Sequence, residues 1–535
     1  MKFKSWFVLL TAFVLILMSA CSANKETNQD KDKDGAEVTD VNESGMPIVD
    51  EQITLNFFAG LAPQSAPDWN DILSFNEYED MTNIDIKWEM VPKAGLAEKR
   101  NLRLASGDLP DAFHSTTMPT SDILKYGQQG MFIPLNDLID KYAPNIKSLL
   151  EEYPEIEKEI TFSDGNIYSL PQLNDPEFLS SRLAFVSWIN KDWLEALDMD
   201  MPTTTDEFYQ YLKAVKEQDP GGNNGVPYGS GDSTKIVEWL RGAFGVANKG
   251  SANPNIDLDP EDDTLRFYPI SEEYKELLQY INKLYEEKLI EQNIFSIDPE
   301  QFIANGSEGL YGSTSWFGPI ETFGEKAGKP FVAIPALEGP HGDKMITRLN
   351  SPVNNVGAFL ITSANEHPEA TMRWIDYFYG EEGIKLYFLG IEGVTYEEKD
   401  DGTFGFIEEI KNNPDGLSFE EAVTKYLTFP GGGGPSMTVQ EFYQGGASSE
   451  KNLEAADLLE ADLVEDPWPT FMYTEEETKV LNSVGADIDK YVTEMRDKFI
   501  AGQISFGEWD KYVNTIEKMG LSEYMEIKEA AYSRQ

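Results

Sequence analysis

The stretch NIDIKWEMV at residues 83–91 constrains the fold most. Ile84, Ile86, Trp88 and Met90 alternate with polar residues, which is the period-two pattern of a strand with one buried face. ITLNFFAG at 53–60 reads the same way, and helical segments lie between and after the two. AGLAEKRNLRLASGD at 94–108 is rich in helix formers, ends at Gly107 and leads into a short apolar strand, LPDAF. Strands that alternate with helices predict an α/β fold with a largely parallel sheet covered on both faces. Ligands in such sheets sit beyond the carboxyl ends of the strands, which is where His114, Ser115 and Thr116 are placed.

Further along, Thr204 and Glu207 form a capping box ahead of a helix whose apolar face is Phe208, Leu212 and Val215. Tyr274, Leu277, Leu278, Ile281, Leu284 and Tyr285 make a second helical stripe, expected to be core. HPEATMRWIDYFYGEEG has a proline early in a helix and a glycine stop, and residues 480–520 read as two amphipathic helices. The chain has 535 residues, 12% of them aromatic. That is too long for one core, so two or more domains are expected.

At the amino terminus Lys2 and Lys4 precede an apolar run, 6–18, and the small residues Ser19 and Ala20. The run is too short for the roughly 30 Å of a bilayer core and reads as an export signal. Cys21, the only cysteine, follows at once. MSAC resembles the lipobox of bacterial lipoproteins, which makes Cys21 the expected site of lipid attachment and places the mature chain on the extracellular face of the cell membrane. Residues 22–50 are polar and poor in aromatics, so they are expected to be a disordered tether. A formal charge of −51 with only 43 Lys and Arg argues against nucleic acid, which is bound through cationic contacts to phosphate.

The phrases ASGDLPDAF, GMFIPLNDLIDKYAPNI, SDGNIYSLP, WINKDWLEAL, STSWFGP, HPEATMRWIDYFYGEEG, GIEGVTY and FIAGQISFGEWDKYV together resemble the extracellular solute-binding lipoproteins of ABC sugar importers. These are similar in fold to maltose-binding protein, and this chain resembles their large Gram-positive subgroup. The resemblance implies a two-lobed α/β fold with a hinge and an interlobe cleft. Its crossings are expected near 170–175, 353–359 and 390–394. The implied division is a signal peptide at 1–20, a tether at 21–50, lobe one at 51–175 and 355–392, and lobe two at 176–354 and 393–535. The implied function is capture of an oligosaccharide by cleft closure and delivery to the permease, by a monomer without catalytic activity.

A sugar presents apolar C–H faces and a rim of hydroxyls, so its site needs aromatic platforms and a few fixed polar groups. Trp316 corresponds by position to a tryptophan that stacks on sugar in maltose-binding protein. Trp188 adjoins the place of a sugar-facing tyrosine there, a place that Ile189 itself occupies. His114, Trp239, Arg241 and Glu392 complete the expected ligand set, Arg241 as a bidentate donor to hydroxyls. The glycine run 431–434 is either a close backbone approach to ligand or a surface loop.

Relatives of this subgroup often carry a calcium loop. Here QDPGGNNGVPYG keeps Asp219 and Asn223 but lacks the terminal acidic pair, too few oxygens for a hard cation, so no cofactor is expected. DLDPEDD at 257–263 reads as a solvated turn. GAFGVANKGS has its lysine before the glycine, unlike a phosphate loop, and neither H-E-x-x-H nor G-x-S-x-G occurs. The alternatives are a surface-tethered glycoside hydrolase, which needs two facing carboxylates, and a carbohydrate-binding scaffold.

Overall fold

The computed structural model describes residues 41–62, 65–183, 185–417, 419–428 and 434–534. The expected leader, Cys21 and most of the tether lie outside them. In chain order the strands are β1 (Ile53–Leu61), β2 (Ile84–Pro92), β3 (Ala112–His114), β4 (Leu170–Asn174), β5 (Val186–Asn190) and β6 (Val226–Gly229), then the ribbon β7 (Asp257–Leu258) and β8 (Leu265–Arg266). They continue with β9 (Tyr311–Trp316), β10 (Phe331–Ala333), β11 (Val353–Ile361), the ribbon β12 (Tyr396–Glu398) and β13 (Phe404–Phe406), and β14 (Met437–Thr438).

Two sheets organise the chain. The first has the order β14-β4-β11-β3-β1-β2 and the second β10-β5-β9-β6. In the first, β1 is parallel to β2 and β3, and β14 to β4, as the βαβ pattern predicts. β11 departs from that expectation and runs antiparallel to both β3 and β4. It enters from the other sheet instead of through a crossover helix on its own side, so nothing imposes the parallel direction. In the second sheet β5 is antiparallel to β9 and β10, while β6 is parallel to β9.

Local structure follows the sequence closely in the helices. Lys93–Ser106 ends on Gly107 in the left-handed region, φ 72°, which only glycine adopts without cost. Thr205–Gln218 begins with the reciprocal Thr204–Glu207 capping box. Tyr274, Leu277, Leu278, Ile281 and Leu284 form the buried stripe of Glu272–Glu286. Residues 480–520 hold the two helices expected there, Ala486–Ile500 and Trp509–Lys518, and Gly520 at φ 107° leads into a further one, Leu521–Tyr532.

Each sheet has its own core. Leu55, Phe57, Phe113, Leu360 and Trp374 belong to the first. Phe208, Leu212, Leu277, Phe499 and Tyr512 belong to the second, with a satellite of Trp188, Phe302, Tyr311 and Phe323 beside it. Two expected boundaries change. Ile48 and Val49 are fully buried in the first core, and Ile48 N–H donates to the Thr82 carbonyl at 3.1 Å, so the last ten residues assigned to the tether are structured. The stretch 390–394 is not a crossing: Thr395 Oγ1 accepts from Ile391 N–H at 2.7 Å and closes a tight turn. Tyr396, Phe406, Leu427 and Phe442 then pack in the first core, and the next residues in the second sheet's satellite are Ala455 and Ala456.

The crossings between the sheets are laced together. Leu183 and Leu349 form an antiparallel bridge, Arg182 Nε donates to the Asn350 carbonyl at 3.1 Å, and Asn174 N–H donates to Pro352 at 2.8 Å. Ser180 Oγ donates to Ala447, bringing in the third connection. Glu159, buried, accepts from the Ser351 hydroxyl and from Thr470 N–H. These bonds satisfy the backbone polar groups that a buried crossing would otherwise strand.

Candidate functional site

β1, β3 and β4 all end on the side of the first sheet from which the chain crosses to the second, and β11 begins there. A pocket of about 420 Å³ opens at these carboxyl ends, within the range of small-ligand sites. It is lined by Gly60, Leu61, Ser65, Trp69, Lys93 and Leu96 on one side. Ser115, Thr117, Gln172, Asn354, Asn355, Tyr387 and Gly434 complete it. Most of this second group carry a hydroxyl or an amide. The Trp69 indole nitrogen is buried and has no hydrogen-bond partner among the described residues. Gly60 is required: a β-carbon there would collide with the Ser115 carbonyl.

The second sheet presents the corresponding end. Trp316 ends β9, Val186 opposite it begins β5, and Gly229 ends β6, so the three converge where the chain arrives from the first sheet. Trp316 is half-buried, its ring 5.1 Å from Phe302 and 5.5 Å from Phe317. Gly231 has no room for a β-carbon against that indole. Phe317 is 61% exposed, unusual for so large an apolar ring. Lys235 Nζ lies 5.1 Å from the Phe185 ring and 5.7 Å from Trp316, and 3.7 Å from the Asp232 carboxylate. The Arg348 guanidinium lies 5.0 Å from Phe185 and pairs with Glu238 at 3.0 Å. Rings and paired charges on one sheet end suit the apolar faces and hydroxyls of a sugar.

Several expected ligand residues take other places. Trp188 is 1% exposed, and its indole N–H donates to the Trp316 carbonyl at 3.2 Å; it supports Trp316 from within the sheet. Trp239 is buried edge-on to Phe208 at 4.9 Å and stacked with Tyr228, so its face is spent on the core. Arg241 is also buried and donates to the Tyr268 hydroxyl at 3.2 Å. Glu392 is exposed in the turn before β12 with Glu397 and Glu398, away from the pocket wall.

His114 is the last residue of β3 and is buried under Trp69 and Trp88, at 5.5 and 5.1 Å. Burial pushes its imidazole down to about 3, so the ring is neutral at physiological pH. Its Nδ1 lies 3.0 Å from Ser115 Oγ, and Ser115 is the residue that reaches the pocket. Of the glycine run, Gly434 lines the pocket against Tyr387, while residues 431–433 lie outside the described residues. Sequence reasoning missed Trp69, Gln172, Asn354, Tyr387, Phe317, Lys235 and Arg348. Only Phe317 had a local signal, its place beside Trp316 among glycine and proline.

The calcium candidates close a loop among themselves. Asp219 accepts from the N–H groups of Asn224 and Gly225, both at 3.2 Å, which holds its carboxyl below the usual range. Asn223 donates to the Gly309 carbonyl. Asp257, expected in a solvated turn, is buried and takes Arg266 at 2.7 Å. Among the described residues no group of three or more His, Cys, Asp or Glu is arranged to hold a metal, and no helix is long and apolar enough to cross a membrane.

Comparison with known proteins agrees with this architecture. The chain is 30% identical over 552 aligned residues to the fructooligosaccharide ABC transporter substrate-binding protein FusA of Streptococcus pneumoniae, covering 100% of this chain and 99% of the relative. It is 25% identical over 544 residues to the polygalacturonan/rhamnogalacturonan-binding protein YtcQ of Bacillus subtilis, covering 99% of each. The solved structure of S. pneumoniae FusA in complex with kestose superposes with a TM-score of 0.72 at 28% identity, covering 90% of this chain and 99% of that one. With residues 66–385 matching the family's pattern, two sheets joined by laced crossings and a pocket at the strand ends, the chain belongs to the bacterial extracellular solute-binding proteins.

Proposed function

We propose that this protein captures a neutral oligosaccharide between the facing ends of its two sheets and delivers it to the permease of an ABC importer. The observation that carries this reading is what each sheet presents at the end where the chain crosses between them: hydroxyl and amide side chains in the pocket of the first, the Trp316 and Phe317 rings on the second. Such groups suit a sugar, whose faces stack and whose rim hydrogen-bonds. Closure about the crossings would then enclose it, the hinge mode common to two-lobed binding proteins.

The two relatives are named for different ligands, one neutral and one a uronide polymer. The charges favour the neutral kind. Lys235 faces Asp232 and Arg348 faces Glu238, so the second sheet end offers no uncompensated cation from these pairs, and the chain as a whole carries −51. A uronide would meet that field with Lys93 as the cation on the pocket wall to offset it. Calorimetric titration with kestose, nystose and trigalacturonate is the test: saturable binding of a neutral oligosaccharide is expected, and silence across all three overturns the reading.

The remaining parts of the proposal are attachment of lipid at Cys21, location on the extracellular face of the membrane, action as a monomer, no bound metal and no turnover of the sugar. Labelling with a fatty acid analogue, compared with Cys21→Ala, tests the anchor. Chromatography of the sugar after overnight incubation tests turnover, and intact oligosaccharide is the expected result.

A further inference from the structure

We propose that Arg100, which does not line the pocket, is a positioning residue for ligand capture: it holds residues 115–117 in the conformation that brings Ser115 and Thr117 to the pocket wall. The proposal rests on the assignment of that pocket as the ligand site.

Ser115 has φ 53° and Thr117 φ 46°. Both lie in the left-handed region, where a β-branched side chain such as threonine is a genuine outlier. Such strain persists only where the surroundings over-determine it, and it gathers at functional sites. Both residues line the pocket. The residue between them, Thr116, is fully buried, and its Oγ1 has no partner among the described residues.

Arg100 supplies the over-determination. It lies on the buried side of the helix Lys93–Ser106, 5% exposed, and its Nη1 donates to the Thr116 carbonyl at 2.9 Å and to the Thr117 carbonyl at 3.0 Å. One guanidinium nitrogen reaches both carbonyls because the left-handed turns bring them to the same side. A charged donor shared by the buried Thr116 carbonyl and the part-buried Thr117 carbonyl is stronger than a neutral one. The two ends of the loop are fixed separately. Ser115 N–H donates to Ala358 at 2.7 Å and Met118 N–H to Gly357 at 3.4 Å, and the Ser115 carbonyl packs on Gly60. Between those anchors the Arg100 bonds are what oppose relaxation of Thr117 to negative φ, which would turn the 116–117 peptide and swing Thr117 off the wall.

The test compares the wild type with Arg100→Met and Arg100→Lys, titrated calorimetrically with kestose alongside thermal melting. Arg100→Met is expected to lose about tenfold in affinity, since a wall no longer held in place must be ordered on binding. Arg100→Lys, which keeps the charge on a shorter side chain, is expected to fall between and carries the test if the methionine variant does not fold. Unchanged affinity at a lowered melting temperature assigns Arg100 to general stability and overturns the proposal. A wild type that binds neither kestose nor any other tested glycan overturns the ligand assignment and this proposal with it.

Discussion

The indole N–H of Trp188 donates to the backbone carbonyl of Trp316 across β5 and β9, at 3.2 Å, so the tryptophan buried in the sheet sets the position of the one at its edge. Trp188→Phe removes the donor and also leaves part of the buried indole volume empty. Leaving the carbonyl unpaired is expected to cost about 1–3 kcal/mol, measured by urea unfolding, with a smaller loss of sugar affinity. Wild-type stability in the variant would show that the bond contributes nothing.

Phe317 and Trp316 separate affinity from stability. Phe317 is exposed and supports little of the core, so Phe317→Ala is expected to weaken oligosaccharide binding roughly three- to tenfold, the scale of one aromatic contact, at an unchanged melting temperature. Trp316 also packs on Phe302, so Trp316→Ala is expected to lower both. Full affinity in both variants would remove the aromatic platform from the site.

Trp239 belongs to the core of the second sheet, edge-on to Phe208. Trp239→Ala is expected to destabilise the protein by about 3–5 kcal/mol in denaturant titration. Sugar affinity, measured at a temperature where the variant stays folded, is expected to match the wild type. A selective loss of affinity would return Trp239 to the ligand set.

Asp376 gives a dependence on pH. It is buried beneath Tyr78 and Tyr379, accepts from the N–H groups of Asn145 and Ile146 and from the Asn145 amide, and faces Arg373. Burial pushes its carboxyl up to about 6. A carboxyl raised in the folded state contributes most below its unfolded value, about 4, and that contribution is lost as pH rises through about 6. The wild type is therefore expected to gain on the order of 1–3 kcal/mol relative to Asp376→Asn between pH 7 and pH 4. A difference that is flat with pH, or that grows toward neutrality, contradicts it.

Asp219 accepts from backbone N–H groups of its own loop, and the Asn223 amide nitrogen donates to the Gly309 carbonyl. Treatment with a calcium chelator is accordingly expected to leave both melting temperature and sugar affinity unchanged. A fall in either that calcium reverses would identify a cation there.

Periodicity made β1, β2 and the capped and striped helices legible, because those patterns are set by neighbours a few residues apart. The crossing expected at 390–394 rests on the resemblance to maltose-binding protein alone; whether the chain leaves its sheet there depends on where Tyr396 and Phe406 find a core. Trp316 and Trp188 have no local signal that tells them apart. Trp316 closes β9 while Trp188 is the middle residue of β5, and only the register of β5 on β9 decides which ring is covered. The pocket was the least legible part. Ser65, Gln172, Asn354, Tyr387 and Gly434 come from five distant segments, with no shared local signal.

The lacing of Arg182 to Asn350 and of Leu183 to Leu349 has a mechanical consequence. Two strands sewn edge to edge behave as a leaf spring: they bend and twist as one plate, while sliding one past the other would break its stitches. Any swing of one sheet against the other is thereby steered into a single arc, and a substitution that unpicks a stitch would add play to the joint before it altered either body.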